Sequence, residues 1–327
     1  MSRIIGKPLS NIPWQERDKN DDSLVWRYRE NPIITKKNLK DTNSIFNSAA
    51  VPFEDGFAGV FRVDDSAILQ HLHVGYSKDG INWNIEKEPI RFITDDAETG
   101  VFVRGFDPRV CFIEDRYYVT WCNIIEDEGG TVGVAYTFDF KDFYEYPNAF
   151  PLYNRNGVLF PKKINGNFAL LNRPSLRGHC IGGSIFYSES PDLTFWGKHR
   201  LVMQPSVGWS EAKIGAGPIP IETDEGWLMF YHGVLSMASG LKYSMGAAIL
   251  DLEKPWRVKY RCKPYIFTAE TTYELTGDTP GVVFPCAALA DSETGRIAIY
   301  YGAADSVVGL AFCNVSEVME YIKKNAL

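Results

Sequence analysis

Two things this 327-residue chain lacks narrow its reading first: a surplus of positive charge and any long apolar run. Its 41 Asp and Glu outnumber its 34 Lys and Arg, for a net charge of −7. A protein that grips nucleic acid or lies on an anionic membrane needs a basic face, so neither partner is expected. An anion bound here must instead be held by a local group of cations. No stretch approaches the length of a membrane span, and Met1-Ser2-Arg3-Ile4-Ile5 is too short for a signal-peptide core. The six cysteines form no CxxC pair and no metal-finger spacing, and several sit in apolar strand-like runs. They read as reduced structural thiols in a cytoplasmic protein, with no resident metal or cofactor expected.

What the chain has in quantity is aromatic: 8 Trp, 17 Tyr and 20 Phe, a composition that suits β-rich packing and sugar-binding faces. The first 45 residues are polar and irregular but carry Trp14 and Trp26. An exposed tail has little use for two tryptophans, so this arm is expected to pack on the domain or on another subunit, which leaves a homo-oligomer open.

After the arm one pattern recurs five times: an apolar run, a polar turn, and a second apolar run rich in aromatics. Asp55, Asp115, Gly166, Glu225 and Glu293 mark the turns, about 50 to 70 residues apart. Examples are Arg109 to Ile113 joined to Tyr117 to Trp121, and Val158 to Phe160 joined to Phe168 to Leu171. A third strand follows each hairpin. Repetition on this scale predicts sheets of about four strands set around a channel. The expected fold is therefore all-β, a single five-bladed β-propeller over 1–327 with the irregular arm and one short C-terminal helix. That helix is placed at Glu317 to Lys324, with Ser316 as its N-cap.

In a propeller the first strand of every blade lines the channel, and these strands run the same way, so the starts of the repeats meet at one mouth. At those starts stand Asn47 and Ser48, Asp107, Arg155 and Asn156, and Lys213. At or just beyond the ends of second strands stand Arg62, Arg173, His232 and Asp305. Asp107 is expected to open a strand, held extended or in a turn by Pro108. Core-lining strands seldom carry charge without a partner or a task, and a carboxylate with several cations aimed at one axis is a candidate site. Asp107 is the candidate acid. Arginine forks match phosphate oxygens and lysine adds a point charge, so Arg155, Arg173, Lys213 and His232 form a candidate anion site. Ile214-Gly215-Ala216-Gly217 precedes Pro218 and a strand rather than a helix, which removes it as a nucleotide loop.

Phe46-Asn47-Ser48-Ala49, GFDPRV (105–110), NRNGVLFP (154–161), LNRPS (171–175), KIGAGPIP (213–220), WLMFYHGV (227–234), FPCAAL (284–289) and IAIYYGAAD (297–305) resemble the β-mannoside phosphorylases of glycoside hydrolase family 130. The resemblance covers nearly the whole chain. It is closest to the branch acting on β-1,4-mannosides of glucose, mannose or N-acetylglucosamine. It implies Asp107 as general acid, passing its proton through the mannose 3-hydroxyl. Arg155, Arg173, Lys213, His232 and Tyr243 would hold phosphate, the co-substrate. Asn47, Ser48, Arg62 and Asp305 would hold the mannosyl unit, with Phe106 and His179 on the acceptor side. Such an enzyme would take an oligosaccharide and phosphate and release α-mannose 1-phosphate.

The chemistry is coherent, because inverting hydrolysis needs a carboxylate base to activate water, whereas phosphate is already an anionic nucleophile and needs cations. Two alternatives stay open: an inverting β-mannosidase on the same scaffold, and a sugar-binding propeller without catalysis. The chain departs from the family pattern at Leu176 to Ser184, at Phe106 where Tyr is usual, and in the long acidic segment Ile124 to Gly130. These departures bear on the acceptor, whose selection is expected to be looser, with Gly182 and Gly183 leaving their loop mobile.

Overall fold

Each apolar run pairs with the run beyond its turn, and each of the five hairpins grows into a sheet. The computed structural model describes residues 2–94, 104–125, 129–176 and 182–327. Blade 1 comprises Thr42–Phe53, Gly56–Asp65, Gln70–Ser77 and Asn84–Pro89. Blade 2 comprises Arg104–Ile113, Arg116–Ile125, Gly129–Thr137 and Phe143–Tyr146, with Phe92–Ile93 parallel to its last strand. Blade 3 is built from Asn154–Leu159, Phe168–Pro174, Ile185–Ser190 and Gly197–Met203. Blade 4 is built from Lys213–Ala216, Gly226–Met237, Gly240–Leu250 and Val258–Arg261, flanked by Ile221–Thr223 and Phe267–Thr268. Blade 5 holds Val283–Ala290, Arg296–Ala303 and Val307–Asn314.

The fourth strand of blade 5 comes from the arm. Trp26–Arg27 pairs antiparallel with Phe312 and Ala311, so the two ends of the chain close the ring. The arm therefore packs on its own propeller, and it ends at Asp41, because blade 1 already begins at Thr42. Trp26 is buried, with Trp14 edge-on to it at 5.3 Å between ring centroids.

Five of the apolar clusters each span two neighbouring blades, which is how a ring of half-buried sheets removes its apolar faces from water. The C-terminal helix, Val315–Lys324, adds Val315, Val318, Met319 and Ile322 to the cluster between blades 4 and 5. Their spacing puts them on one helical face. The helix starts earlier than expected: Asn314, not Ser316, is its N-cap, and it makes no side-chain capping bond.

A buried ion pair fastens the arm. Arg27 Nε and Nη2 donate to the two oxygens of Glu274 at 2.8 and 2.9 Å, while the Tyr301 hydroxyl donates to Oε1 at 2.8 Å. The Glu274 side chain is fully buried. Burial acts to raise its pKa, but the bonds from Arg27 and from the Glu270 and Thr271 amides bring it below the ordinary value. Glu274→Ala, which leaves Arg27 only the exposed Glu270 carboxylate and the Thr268 carbonyl as partners, is expected to destabilise the fold by about 2 kcal/mol. The check is the thermal unfolding midpoint, and an unchanged midpoint would show that the closing strand does not depend on this pair.

Candidate active site

The innermost strands of blades 1, 2 and 3 share one irregularity. Pairing is regular to Phe46↔Arg62 and resumes at Ala49↔Val60, so Asn47 and Ser48 face a single residue. The same step occurs between Phe106↔Cys122 and Arg109↔Thr120, and between Arg155↔Arg173 and Val158↔Leu171. Each is a two-against-one β-bulge, which bends the strand and re-aims a side chain. The leading residues Asn47, Asp107 and Asn156 have φ of +47°, +54° and +52°. Asn and Asp tolerate this left-handed conformation best among residues with a side chain. Asp107 is therefore neither extended nor at a strand start: it lies inside Arg104–Ile113, in a bulge where Pro108 needs no ladder bond.

The bulges turn Asn47, Asp107 and Asn156 toward a cleft of about 410 Å³ at the channel mouth. Arg62, Phe106, Arg155, Arg173, Lys213, His232, Tyr243 and Asp305 line the same cleft. Eleven residues named from the sequence thus meet in one place, Asn156 among them. Ser48 does not join them: it is buried, and its hydroxyl donates to Phe46 O at 3.2 Å. His179 lies outside the described residues, as do 177–181 and 126–128 of the two segments that depart from the family pattern.

One wall is acidic. Asn47 Nδ2 and Arg62 Nη1 both donate to Asp107 Oδ1, at 2.8 and 3.0 Å. Arg62 also forks onto Asp64, with Nε and Nη2 at 2.9 and 3.0 Å from its two oxygens. Burial works against the Arg62 charge, but Asp107 and Asp64 more than offset it and raise its pKa. Asn47 reaches this position because Gly302 has no side chain: a Cβ there would stand 1.9 Å from Asn47 Oδ1. Burial pushes Asp305 up to about 6, with Arg62 and the Thr279 hydroxyl opposing and Asp107 and Asp64 reinforcing the rise.

The other wall is cationic. Arg155 and Arg173 sit opposite each other across the first pair of blade 3, and Lys213 opens blade 4. Arg173 Nη1 lies 3.0 Å from His232 Nε2. Arginine can only donate, so Nε2 accepts and the proton of the neutral ring sits on Nδ1. Burial first, then the charges of Arg173, Arg109 and Lys213, hold the His232 pKa well below its ordinary value. Arg155 Nε, Arg173 Nε and His232 Nδ1 are buried with no hydrogen-bond partner among the described residues. All three residues line the cleft, and donors of this kind grouped there fit a small, highly charged oxyanion. Burial also pushes Tyr243 up to about 12, so its hydroxyl stays protonated and adds a neutral donor.

The two glycines of the departing segment are held rather than loose. Gly182 N donates to Ala212 O at 2.6 Å and Ile214 N donates to Gly183 O at 3.1 Å. A Cβ on Gly183 would stand 2.9 Å from Arg173 Cδ, so this glycine makes room for the arginine.

Several residues of the site went unnoticed in the sequence. Asp64 clamps Arg62, and Arg104, Gln70 and Thr279 line the cleft. Arg109, fully buried, donates to Gly217 O at 2.6 Å and to the carbonyls of Asp107 and Pro108 at 2.9 and 3.1 Å. It ties the Asp107 bulge across the channel to blade 4. Its signal was present in the charged residue two after Asp107 inside an apolar strand, but charge alone does not separate a tie from a ligand. Among the described residues no three His, Cys, Asp or Glu side chains gather as metal ligands.

Fold and cleft together define a class, the carbohydrate-active β-propellers. The solved β-1,2-mannobiose phosphorylase from Listeria innocua, in complex with β-1,2-mannobiose, superposes with a TM-score of 0.81 at 27% identity, over 92% of this chain and 99% of that one. The chain belongs to glycoside hydrolase family 130, whose model, described as beta-1,4-mannooligosaccharide phosphorylase, matches residues 7–324. A beta-1,4-mannooligosaccharide phosphorylase of Ruminococcus albus is 53% identical over 99% of this chain and 98% of its own length. A 4-O-beta-D-mannosyl-D-glucose phosphorylase of Bacteroides fragilis is 27% identical over 91% of this chain and 80% of its own.

Proposed function

We propose that this enzyme cleaves β-1,4-linked mannosides by inverting phosphorolysis, releasing α-mannose 1-phosphate and the shortened sugar. The observation that carries the reading is the pair of buried, unpartnered arginine Nε atoms of Arg155 and Arg173 in the cleft that holds Asp107. In this reading Arg155, Arg173, Lys213, His232 Nδ1 and Tyr243 hold phosphate on the far side of the sugar from the acid. A phosphate oxygen forms the new bond to the anomeric carbon as the glycosidic bond breaks, and the leaving oxygen takes its proton from Asp107, by way of the sugar 3-hydroxyl in the family's relay. Asn47, Arg62 and Asp305 hold the mannosyl unit. Phe106, lying between the guanidinium groups of Arg62 and Arg155 at 5.0 and 5.9 Å, forms the floor of the acceptor side.

The 1,4 linkage is supported by the Ruminococcus albus relative, since relatives named for β-1,2-mannosides reach 33% identity or less. Hydrolysis would need a second carboxylate facing the acid to activate water. Among the described residues the other cleft carboxylate, Asp305, and the clamp Asp64 act instead on the same Arg62 as Asp107, and the opposite wall is cationic. The five described cysteines are buried and unpaired, which suits a reducing compartment, and we place the enzyme in the cytoplasm. Incubation with β-1,4-mannobiose and phosphate tests the proposal: α-mannose 1-phosphate and mannose are expected in equal amounts. Release of two free mannoses per cleavage would establish a hydrolase.

A further inference from the structure

The three bulges of the inner strands break the ladder in the same way, and each has a carbonyl in or beside it that a side chain caps. In blade 1 the Ser48 hydroxyl donates to Phe46 O at 3.2 Å. In blade 3 the Thr120 hydroxyl, reaching over from blade 2, donates to Gly157 O at 2.7 Å. In blade 2 the cap is Arg109, whose Nη1 donates to Asp107 O and Pro108 O at 2.9 and 3.1 Å. Its Nε crosses to blade 4 and donates to Gly217 O at 2.6 Å. A hydroxyl serves two of the bulges, whereas the third is held by a guanidinium that is 1% exposed.

A guanidinium is a costly cap in this place. Its hydrogen bonds all go to carbonyls rather than to a carboxylate, and Nη2 is buried without a partner. Interiors normally avoid a cation without a counter-charge. The sequence explains the need. Asn47 and Asn156 are followed by Ser48 and Gly157, but Asp107 is followed by Pro108. A proline pushes the residue before it toward extended backbone, yet Asp107 sits at φ +54°. Local sterics therefore oppose this bulge more than the other two, and a restraint from outside the strand must hold it. Gly217, the far end of the tie, is itself fixed. Its N donates to Phe230 O at 3.0 Å, and a Cβ on it would stand 2.9 Å from that oxygen.

We propose that Arg109 is a positioning residue for the general acid: by reaching across the channel to Gly217, it holds the Asp107–Pro108 bulge in the left-handed geometry that aims the Asp107 carboxyl at the cleft. This rests on the phosphorolytic reading, in which Asp107 supplies the proton. Arg109 is not among the residues that line the cleft, so it touches neither sugar nor phosphate. It acts on the main chain of Asp107, while Asn47 and Arg62 hold the carboxylate itself.

A double-mutant cycle tests the proposal: kcat/KM for β-1,4-mannobiose at saturating phosphate in wild type, Arg109→Met, Asp107→Asn and the double variant. Arg109→Met alone is expected to lower kcat/KM roughly ten- to hundredfold, the cost of misplacing a catalytic group by about 1 Å. The loss falls on kcat, and the KM for phosphate stays that of wild type. Once Asp107 is replaced by asparagine there is no acid to misplace, so adding Arg109→Met costs less than about twofold. A purely structural role costs the same in both backgrounds, and that result overturns the proposal. So does a loss confined to the phosphate KM, which would make Arg109 a remote charge of the anion site, as its effect on His232 is. If the methionine variant fails to fold, Arg109→Lys takes its place in the cycle. Its single ammonium replaces the two nitrogens that now divide the bonds between blades 2 and 4, so wild-type kcat in that variant overturns the proposal. A wild-type enzyme without phosphate-dependent turnover refutes the functional reading, whereas normal turnover with equal losses in both backgrounds refutes only the role of Arg109.

Discussion

Asp107→Asn is expected to lower kcat/KM by roughly a hundred- to ten-thousandfold, the usual contribution of a positioned general acid. The amide keeps an oxygen where Asn47 and Arg62 donate, and Arg62 retains its fork onto Asp64, so the bulge and the clamp remain in place. The thermal unfolding midpoint should therefore stay close to that of wild type while turnover collapses. The variant separates chemistry from architecture because its shape is nearly unchanged while the carboxyl group's proton and charge are lost. Retention of more than about a tenth of wild-type kcat/KM would place the acid elsewhere.

Arg173→Ala should instead act on phosphate. It removes a buried cation that donates to His232 Nε2 and has a further N–H free for an oxyanion. Losing one charge-assisted bond costs about 1.5–3 kcal/mol, or roughly ten- to hundredfold in apparent phosphate affinity. The KM for mannobiose should change little, since Asn47, Arg62 and Asp305 stand on the other wall. Lys213→Ala and Arg155→Ala are expected to follow the same pattern. Initial rates over a grid of phosphate and mannobiose concentrations separate the two constants. A rise in the mannobiose KM alone would show that the cationic wall holds sugar.

The architecture was legible in the sequence because a propeller blade is written locally. Asp55, Asp115, Gly166, Glu225 and Glu293 each sit between two apolar runs, and hairpin chemistry needs nothing from the rest of the chain. The closure of the ring was not legible. Trp26–Arg27 is two residues long, too short to show any periodicity, and its partner lies nearly three hundred residues away. Only the cost of exposing Trp14 and Trp26 announced that the arm was packed.

The site was legible as a set of residue types at one mouth, and its geometry was not. Local sterics argue for an extended Asp107 before Pro108, yet the bulge places it at φ +54°. The reason shows only when Asn47, Asp107 and Asn156 are laid side by side as the same bulge in three successive blades. Ser48, adjacent to Asn47, shares its motif but does not line the cleft, its hydroxyl being bonded to the Phe46 carbonyl. Asp64 and Arg109 were invisible for a related cause: each acts through a partner brought close only by the fold. Gly302 and Gly183, similarly, make sense only beside Asn47 and Arg173.

The central claim is that a phosphate oxygen held by the cationic wall, rather than water, attacks the sugar that Asp107 activates. The initial rate of β-1,4-mannobiose cleavage, measured as phosphate is raised from zero in a phosphate-free buffer, tests it most directly. The expected curve passes through the origin and saturates, with one α-mannose 1-phosphate formed per bond broken. A rate already at its plateau without phosphate, and unchanged on adding it, would contradict the account.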